Sequence, residues 1–452
     1  MCSLFCIGIY AQDVKKWTLE ECISYAIEHN IDIRQRELNR QNAAIDVNTA
    51  KMSRLPNLNA NVGQNWNFGR GLTEKNIYEN QNSSNTGFRI GSSTPLFTGF
   101  RINNEIEKSK LDLDASIQHL EKAKEDIALN VASLFLQVLF NKELLKVNEE
   151  QLFLSKAQIE RTENLVEVGK VPESQLFDIK AQVAKDEVSL VQARNNLQLS
   201  LLDLAQNLEL ERYTLFDVAT PELGDVFGNN IQSLLPPEKI YDNAVGFKPQ
   251  IKEQELRTEI AKKTLKIAQS GYMPTLNLGL GYSNGYFYNY TMEGRWIENK
   301  EDPSKSFIWH NESFYNQIKN NAGQYISLDL NIPIFNRFAV KNQVRAAKLN
   351  IENQQLLLEN VKKTLFKEIQ TAYLNAVAAQ EKYRSSVKSV AASQESFKYS
   401  QERYELGKSS VFEFNEARTK LIQSLSEEIQ AKYDFIFRSK ILDFYNGVPI
   451  KL

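Results

Sequence analysis

Side chains that could perform catalysis are scattered along this sequence. The three histidines, His29, His119 and His310, lie far apart. No spacing typical of a zinc protease (HExxH), a nucleophilic serine (GxSxG), a phosphate-binding loop (GxxxxGKS/T) or a cysteine pair (CxxC) occurs. Paired carboxylates are frequent, but the exposed faces of long helices always supply them. The sequence therefore predicts no catalytic, cofactor-binding or metal-binding residue, and no enzyme.

A row of asparagines has the spacing of one face of a β-strand. From 57 to 69, the odd positions hold asparagine or glycine, and the even positions are mostly apolar. This alternation predicts a strand with one apolar and one wet face. Asparagine is a poor strand former, so we expect the row to meet water in a pore. The predicted pore-facing residues are Asn59, Asn61, Asn65 and, in a second strand, Asn277.

The strands are followed by long helical segments, and the whole arrangement occurs twice. An offset of 238 residues superimposes Pro95 on Pro333 and Gly169 on Gly407. Each copy runs without proline for about seventy residues to a Gly-Lys turn and then returns as a second helix. A repeat of this size indicates duplication of a strand and long-hairpin unit.

Heptads of apolar residues fill these long segments, with a shift of four residues at the equivalent place in both copies. Such a pattern is typical of a left-handed coiled coil with one stutter. At about 1.5 Å per residue, some 65 helical residues extend roughly 100 Å. A plain rod-like coiled coil is the alternative on the helices alone.

The predicted elements form a duplicated α+β fold. The first repeat, 12–210, has helices at about 18–54, 101–168 and 172–210 and strands at about 57–68 and 87–97. The second repeat, 237–445, has helices at about 237–271, 339–406 and 410–445 and strands at about 275–283 and 324–335. A linker at 211–236 joins the repeats, and 446–452 forms a tail.

The strands have the length of tilted membrane strands, which need about 9–11 residues. Aromatic residues gather at their outer ends, as in an interfacial girdle. Four strands cannot close a barrel, and lipid does not tolerate open sheet edges. Two copies would give eight strands, too narrow for an open lumen, and three would give twelve. A soluble sandwich with half-buried strands is the alternative.

Composition excludes other classes of protein. The net charge is −2, so nothing attracts the chain to nucleic acid, and no run of 18 apolar residues predicts a spanning helix. Residues 1–11 resemble the end of a signal peptide without its basic region, so the true start could lie upstream. A lipid on Cys6 is an alternative, although Phe5 disfavours it. Cys2, Cys6 and Cys22 provide no disulfide framework.

Nearly the whole chain resembles the TolC-like outer-membrane efflux protein family. The resemblance is carried by Trp17-Thr18-Leu19-Glu20-Glu21-Cys22, the Leu-Pro-Asn-Leu and Met-Pro-Thr-Leu strand entries, the Pro-Leu-Phe and Pro-Ile-Phe exits, and the two Gly-Lys tips. It implies a trimer with a 12-stranded outer-membrane barrel and a periplasmic α-helical tunnel. It also implies passive export, with a periplasmic adaptor protein and an inner-membrane transporter of the RND or ABC type as partners.

The resemblance also implies roles for individual residues. The periplasmic gate corresponds to Tyr404, Glu413 and Glu416, and three copies of the two glutamates would form acidic rings that select cations. The helical tips, which would contact the adaptor, comprise Gly169, Lys170, Gly407, Lys408 and Ser409. Ser409 and Gln175 replace the arginine and the acid that lock the gate in some members. Lys408, Glu173 or Asp178 could substitute for them.

Several alternatives remain at this point. Glu413 and Glu416 could be solvated charges at a helix N-terminus, where acids are stabilised anyway. Tyr404 lies in heptad register and could serve packing alone. A periplasmic coiled-coil scaffold without a pore, or a stand-alone porin, could use the same elements. The cargo, which could be drugs, metal ions, detergents or polypeptides, is not specified by the sequence.

Overall fold

The computed structural model describes residues 16–72, 76–212, 215–221, 234–299 and 301–451. The predicted signal-peptide segment, 1–11, with Cys2 and Cys6, lies outside the described residues, as does much of the predicted linker at 211–236. Cys22 is a free, buried cysteine.

The duplication is visible in the lengths of the helices. The first repeat contains α1 (Leu19–His29), α2 (Ile31–Met52), α3 (Arg101–Glu167) and α4 (Glu173–Asn207). Their counterparts are α5 (Pro237–Phe247), α6 (Pro249–Ser270), α8 (Ala339–Glu405) and α9 (Val411–Tyr445). Both sets measure 11, 22, 67 and 35 residues. Helix lengths this closely matched indicate that the two copies fold in the same way.

The breaks between the short helices use different residues in the two repeats. Asn30 is extended between α1 and α2, and its Oδ1 accepts hydrogen bonds from the backbone N–H groups of Asp32 and Ile33. Lys248 is extended at the equivalent place because Pro249 follows it. At the start of α1, Thr18 and Glu21 form a capping box, and a threonine followed three residues later by a glutamate is the sequence signature of this motif.

The offset between the repeats changes within the strands. It is 218 residues from α1 to α5 and 238 residues from α3 to α8. The additional residues of the second repeat therefore lie between its paired strands. They form β8 (Trp296–Ile297), a 3₁₀ turn (Pro303–Lys305), β9 (Phe307–Ile308) and α7 (Phe314–Asn320).

Four strands form one antiparallel sheet in the order β10-β7-β5-β2. They are β2 (Asn57–Asn67), β5 (Ser83–Phe97), β7 (Thr275–Asn289) and β10 (Gly323–Asn331). In this order β2 and β10 are the edge strands. The pairs β3 (Arg70–Leu72) with β4 (Tyr78–Asn80), and β1 (Lys16–Trp17) with β6 (Asp217–Val218), complete the described strands.

Three strand predictions are each wrong at one end. The strand predicted at about 324–335 ends at Asn331. Pro333 has no N–H for a ladder, and Arg337 and Phe338 take φ values of 55° and 61°, which turn the chain away from the sheet. The strand predicted at about 275–283 continues to Asn289 because β5, which itself starts at Ser83 rather than at about 87, pairs with it along this length.

The chain divides into two compact units, and neither is a single repeat. One unit contains the described residues of Met1–Gln41, Asp114–Leu256 and Gln355–Leu452, and the other contains Asn42–Leu113 and Arg257–Gln354. The second unit holds the four-stranded sheet. Each unit draws segments from both repeats, so the copies interleave rather than fold as separate domains.

The core of the first unit contains side chains from α1, α3, α4 and α9. One described helix, α3, is long and apolar enough to cross a membrane by length and composition. Its residues Val131, Phe135 and Leu139 are nevertheless almost wholly buried in this core. Packing between helices therefore accounts for the apolar stretch in α3.

Candidate functional site

The two helical tips have the same backbone geometry. Gly169 and Gly407 both take φ 69°, a left-handed conformation that favours glycine. At the first tip, the N–H groups of Gly169 and Lys170 donate to the carbonyls of Val166 and Leu165. This is a Schellman motif, which satisfies the last carbonyls of a helix. Both glycines are therefore the turn residues that the sequence predicts.

The second tip repeats these bonds. The N–H of Gly407 donates to the carbonyl of Tyr404, and that of Lys408 donates to Arg403, at N–O distances of 3.0 and 2.8 Å. Leu406 at this tip is 69% exposed, and Val168 at the first tip is 66% exposed. The tips therefore present lysine and apolar side chains together.

Replacing Gly407 by alanine should destabilise the second tip by about 1–2 kcal/mol, the cost of a left-handed non-glycine residue. No atom lies within 4 Å of an added Cβ, so the backbone alone carries the cost. Thermal unfolding followed by circular dichroism measures it. Gly246→Ala is the matched control, because that glycine is helical, also has open space, and should gain about 0.5–1 kcal/mol. Equal effects of both changes would contradict the assignment.

Glu413 caps the first turn of α9. Its backbone N–H donates to Ser410 Oγ at 3.2 Å, and its carboxylate accepts from the Ser410 N–H and, at 2.5 Å, from Ser409 Oγ. These hydrogen bonds, first that from Ser409, lower the pKa of the Glu413 carboxyl below its usual value. Ser409 thus holds the carboxylate of Glu413, one of the predicted gate residues, in place. Glu416 lies one turn farther along α9 and is exposed.

Tyr404 packs within its own hairpin. Its ring stacks on the ring of Phe414 in α9 with a centroid distance of 4.9 Å. The ring of Phe397 also lies against Phe414, with a centroid distance of 5.5 Å. Phe414 is buried and Tyr404 is half-buried. Within one chain, the side chain of Tyr404 therefore links α8 to α9 near the tip.

An ion pair that the sequence did not indicate joins the two hairpins near the tips. Arg161 of α3 lies 3.2 Å from Glu405 of α8, measured from Nη1 to Oε1. Hydrogen bonds from Gln401 and then from Arg161 lower the pKa of Glu405. Both side chains are about half exposed, so the pair contributes about 0–1 kcal/mol. Its partners differ from the substitutes considered for the gate lock, namely Lys408, Glu173 and Asp178.

A second missed feature is a buried polar cluster, formed by Asp186, Arg418 and Ser155. Arg418 of α9 donates to Asp186 Oδ2 of α4 at 2.7 Å, and Ser155 of α3 hydrogen-bonds both. The three residues are 6%, 6% and 1% exposed. Gln182 donates to the other Asp186 oxygen at 2.9 Å. This cluster fastens α9 of the second repeat to the hairpin of the first.

The second repeat has a weaker version of this cluster. The 238-residue offset maps Ser155 onto Ser393 and Asp186 onto Ser424, whose hydroxyls lie 3.0 Å apart. The buried carboxylate of Asp186 is therefore replaced by an uncharged serine in the second copy. A sequence signal for it exists: the heptad of α4 passes through Val183 and Leu190, which places Asp186 at a seam position that normally holds an apolar residue.

The structure places the predicted asparagines on one face of the sheet. Asn59 pairs with Gly91, Asn61 with Arg89 and Asn65 with Asn85, and the spacing is an even number of residues each time. Asn277 pairs with both Pro95 and Asp329. The opposite face carries Leu58, Val62, Ile90, Leu280, Ile326 and Leu328. The sheet therefore has one polar and one apolar face.

Comparison with known proteins places these features in a family. The profile of the outer membrane efflux protein family matches residues 22–208 and 240–443. The outer membrane protein TolC of Escherichia coli is 21% identical over 412 residues, which cover 90% of this chain and 77% of that protein. The toxin and drug export protein A of Aggregatibacter actinomycetemcomitans is 20% identical over 427 residues, which cover 92% of this chain and 83% of that protein.

Solved structures have the same fold. The CusC structure gives a TM-score of 0.73 at 18% identity, covering 96% of this chain and 92% of that chain. The Campylobacter jejuni CmeC outer membrane channel gives 0.72 at 17% identity, covering 95% and 86%. With the family profile matched over most of both repeats, this chain belongs to the outer membrane efflux protein family.

Proposed function

We propose that three copies of this chain form a passive exit duct for an efflux or type I secretion assembly. The chain is an outer-membrane channel protein of a Gram-negative bacterium with a periplasmic extension, and its relatives are channels rather than enzymes. The trimer, the gate residues and the partner proteins are proposals that go beyond membership of the family.

The observation that supports the trimer is the four-stranded sheet with two open edges. Both edge strands, β2 and β10, carry apolar side chains that are largely exposed, including Leu58 at 76% and Ile326 at 80%. In lipid, such edges must pair, and bacterial barrels have at least eight strands. Three copies close twelve strands, with β2 of one copy beside β10 of the next.

In this arrangement the polar face lines the lumen. Asn59, Asn61, Asn65 and Asn277 then contact the water of the duct. The apolar face meets lipid, which matches its exposed leucine, valine and isoleucine side chains.

Size exclusion with light scattering on the detergent-extracted protein tests the assembly. Three protomers per particle are expected, together with a steady conductance in a planar bilayer. A monomer that needs no detergent would overturn the proposal. A trimer without conductance would instead support a periplasmic scaffold.

The tips are the proposed contact for a periplasmic adaptor, which would connect the duct to an RND or ABC transporter of the inner membrane. Gly169, Lys170, Gly407, Lys408 and Ser409 form this surface. Exposed Val168, Leu406 and Phe412 beside them, at 66%, 69% and 76%, support a docking role.

Tyr404, Glu413 and Glu416 are the proposed gate. Changing both glutamates to glutamine should lower the preference of the channel for cations over anions, because six negative charges leave the narrow end of the trimer. Reversal potentials under a KCl gradient measure this preference. Glu427→Gln with Glu428→Gln is the control, since it removes equal charge about three turns farther along α9. Unchanged reversal potentials in the gate variant would count against the acidic rings.

A further inference from the structure

The four strands of the sheet contain only two charged residues, Arg89 in β5 and Asp329 in β10. Both lie on the polar face, Arg89 opposite Asn61 and Asp329 opposite Asn277. Asp329 is level with Pro95, which lies six residues from Arg89 along β5. At about 3.3 Å per residue this separates the two charges by roughly 20 Å, too far for an ion pair.

Glycines surround Arg89 on the same face. On one side, Gly63, Gly87 and Gly285 pair directly across three adjacent strands. On the other side, Gly91 pairs with Gly281. Glycine weakens a strand interior, and it often marks a place where a ligand approaches the backbone closely. An added Cβ at Gly87 would meet no atom within 4 Å, so this part of the face is open.

The remaining neighbours of Arg89 are hydrogen-bonding and uncharged. Asn61 and Ser283 lie directly opposite it on β2 and β7. The Tyr325 ring lies over Gly281, where a Cβ would overlap it, and its hydroxyl is 3.6 Å from the Cβ position of Gly91. Arg89, Asn61 and Ser283 therefore lie at one level of the face, and Tyr325 lies at the next level, two residues along the strands. The glycines on either side of Arg89 form a glycine floor (Gly63, Gly87, Gly285, Gly91 and Gly281).

We infer that this cluster, Arg89 with Tyr325, Asn61 and Ser283, is an oxyanion-binding site for carboxylate-bearing cargo in the lumen. Arginine binds carboxylates through two parallel hydrogen bonds, and the glycine floor leaves room for the group that carries the carboxylate. This inference rests on the proposed trimer, in which three copies form a basic ring at one level of the duct. This basic ring is opposite in charge to the proposed acidic gate. An anion that has entered the duct is therefore attracted to the ring.

Planar-bilayer recordings with the full-length channel test the site, with citrate as the probe. Arg89→Gln should raise the ratio of potassium to chloride permeability about two-fold and weaken citrate block about ten-fold, because a charge-assisted bond is lost. Arg89→Lys should restore the permeability ratio but only part of the block, since lysine lacks the two-pronged geometry. Arg70→Gln removes the same charge from β3, outside the four-stranded sheet, and should change neither quantity.

A second variant tests the shape of the site separately from its charge. Gly87→Val fills the open floor without changing charge, so it should weaken citrate block while leaving the permeability ratio unchanged. If Arg89→Gln conducts normally and its permeability ratio and citrate block are the same as in wild type, the oxyanion site is overturned but the proposed function is not. Absence of conductance from wild type would overturn the proposed function and the site with it. Equal citrate block in Gly87→Val and wild type would show that no built site exists.

Discussion

Replacing Arg418 by alanine is expected to destabilise the folded chain by about 3–5 kcal/mol, because it leaves the Asp186 carboxylate buried without its partner. Both side chains are less than a tenth exposed, and the Arg418 Nη2 to Asp186 Oδ2 distance is 2.7 Å. Burial lowers the pKa of Arg418, and the nearby carboxylate opposes this effect. Denaturation of the helices, followed by circular dichroism in detergent, measures the loss of stability as a lowered midpoint.

The duplication provides a matched control for Arg418. The 238-residue offset maps it onto Lys180, whose pair with Glu163 at 3.1 Å is about half exposed. Lys180→Ala should therefore cost less than about 1 kcal/mol. A double variant, Arg418→Met with Asp186→Leu, should be near neutral because neither charge is left buried alone. A loss below about 1 kcal/mol in Arg418→Ala would show that the cluster does not fasten α9.

Replacing Phe135 by alanine is expected to cost about 3–5 kcal/mol, the range for removing a buried aromatic side chain. Phe135 is 1% exposed on α3 and packs in the core that also includes Leu19, Leu204 and Tyr433. The cavity would therefore open where α1, α3, α4 and α9 contribute side chains. Unfolding by denaturant, with the slope compared between variants, measures the change.

Phe153 on the same helix is the control, because it is 74% exposed. Phe153→Ala should change the free energy of unfolding by no more than about 0.5 kcal/mol. A similar loss in both variants would mean that helix propensity, rather than burial, controls the effect. A loss in Phe153→Ala alone would place that side chain in an interface between copies.

Local features of this chain were predictable from the sequence. The capping box at Thr18, the break at Asn30 and the turns at Gly169 and Gly407 each depend on atoms within about six residues of one another. The alternation from Asn57 onward placed the asparagines on one face, because side chains in a strand alternate between faces. The equal offset between repeats predicted equal hairpins, since similar sequences pack in similar ways.

Only the tertiary structure decided which distant residues meet. The pairs Arg418–Asp186 and Arg161–Glu405 join residues more than 200 positions apart, and no local preference fixes the register between those helices. The glycine floor around Arg89 likewise exists only because β5 pairs with β2 and β7 in one register. A shift of one residue would move Arg89 to the apolar face, since each residue along a strand reverses the direction of its side chain.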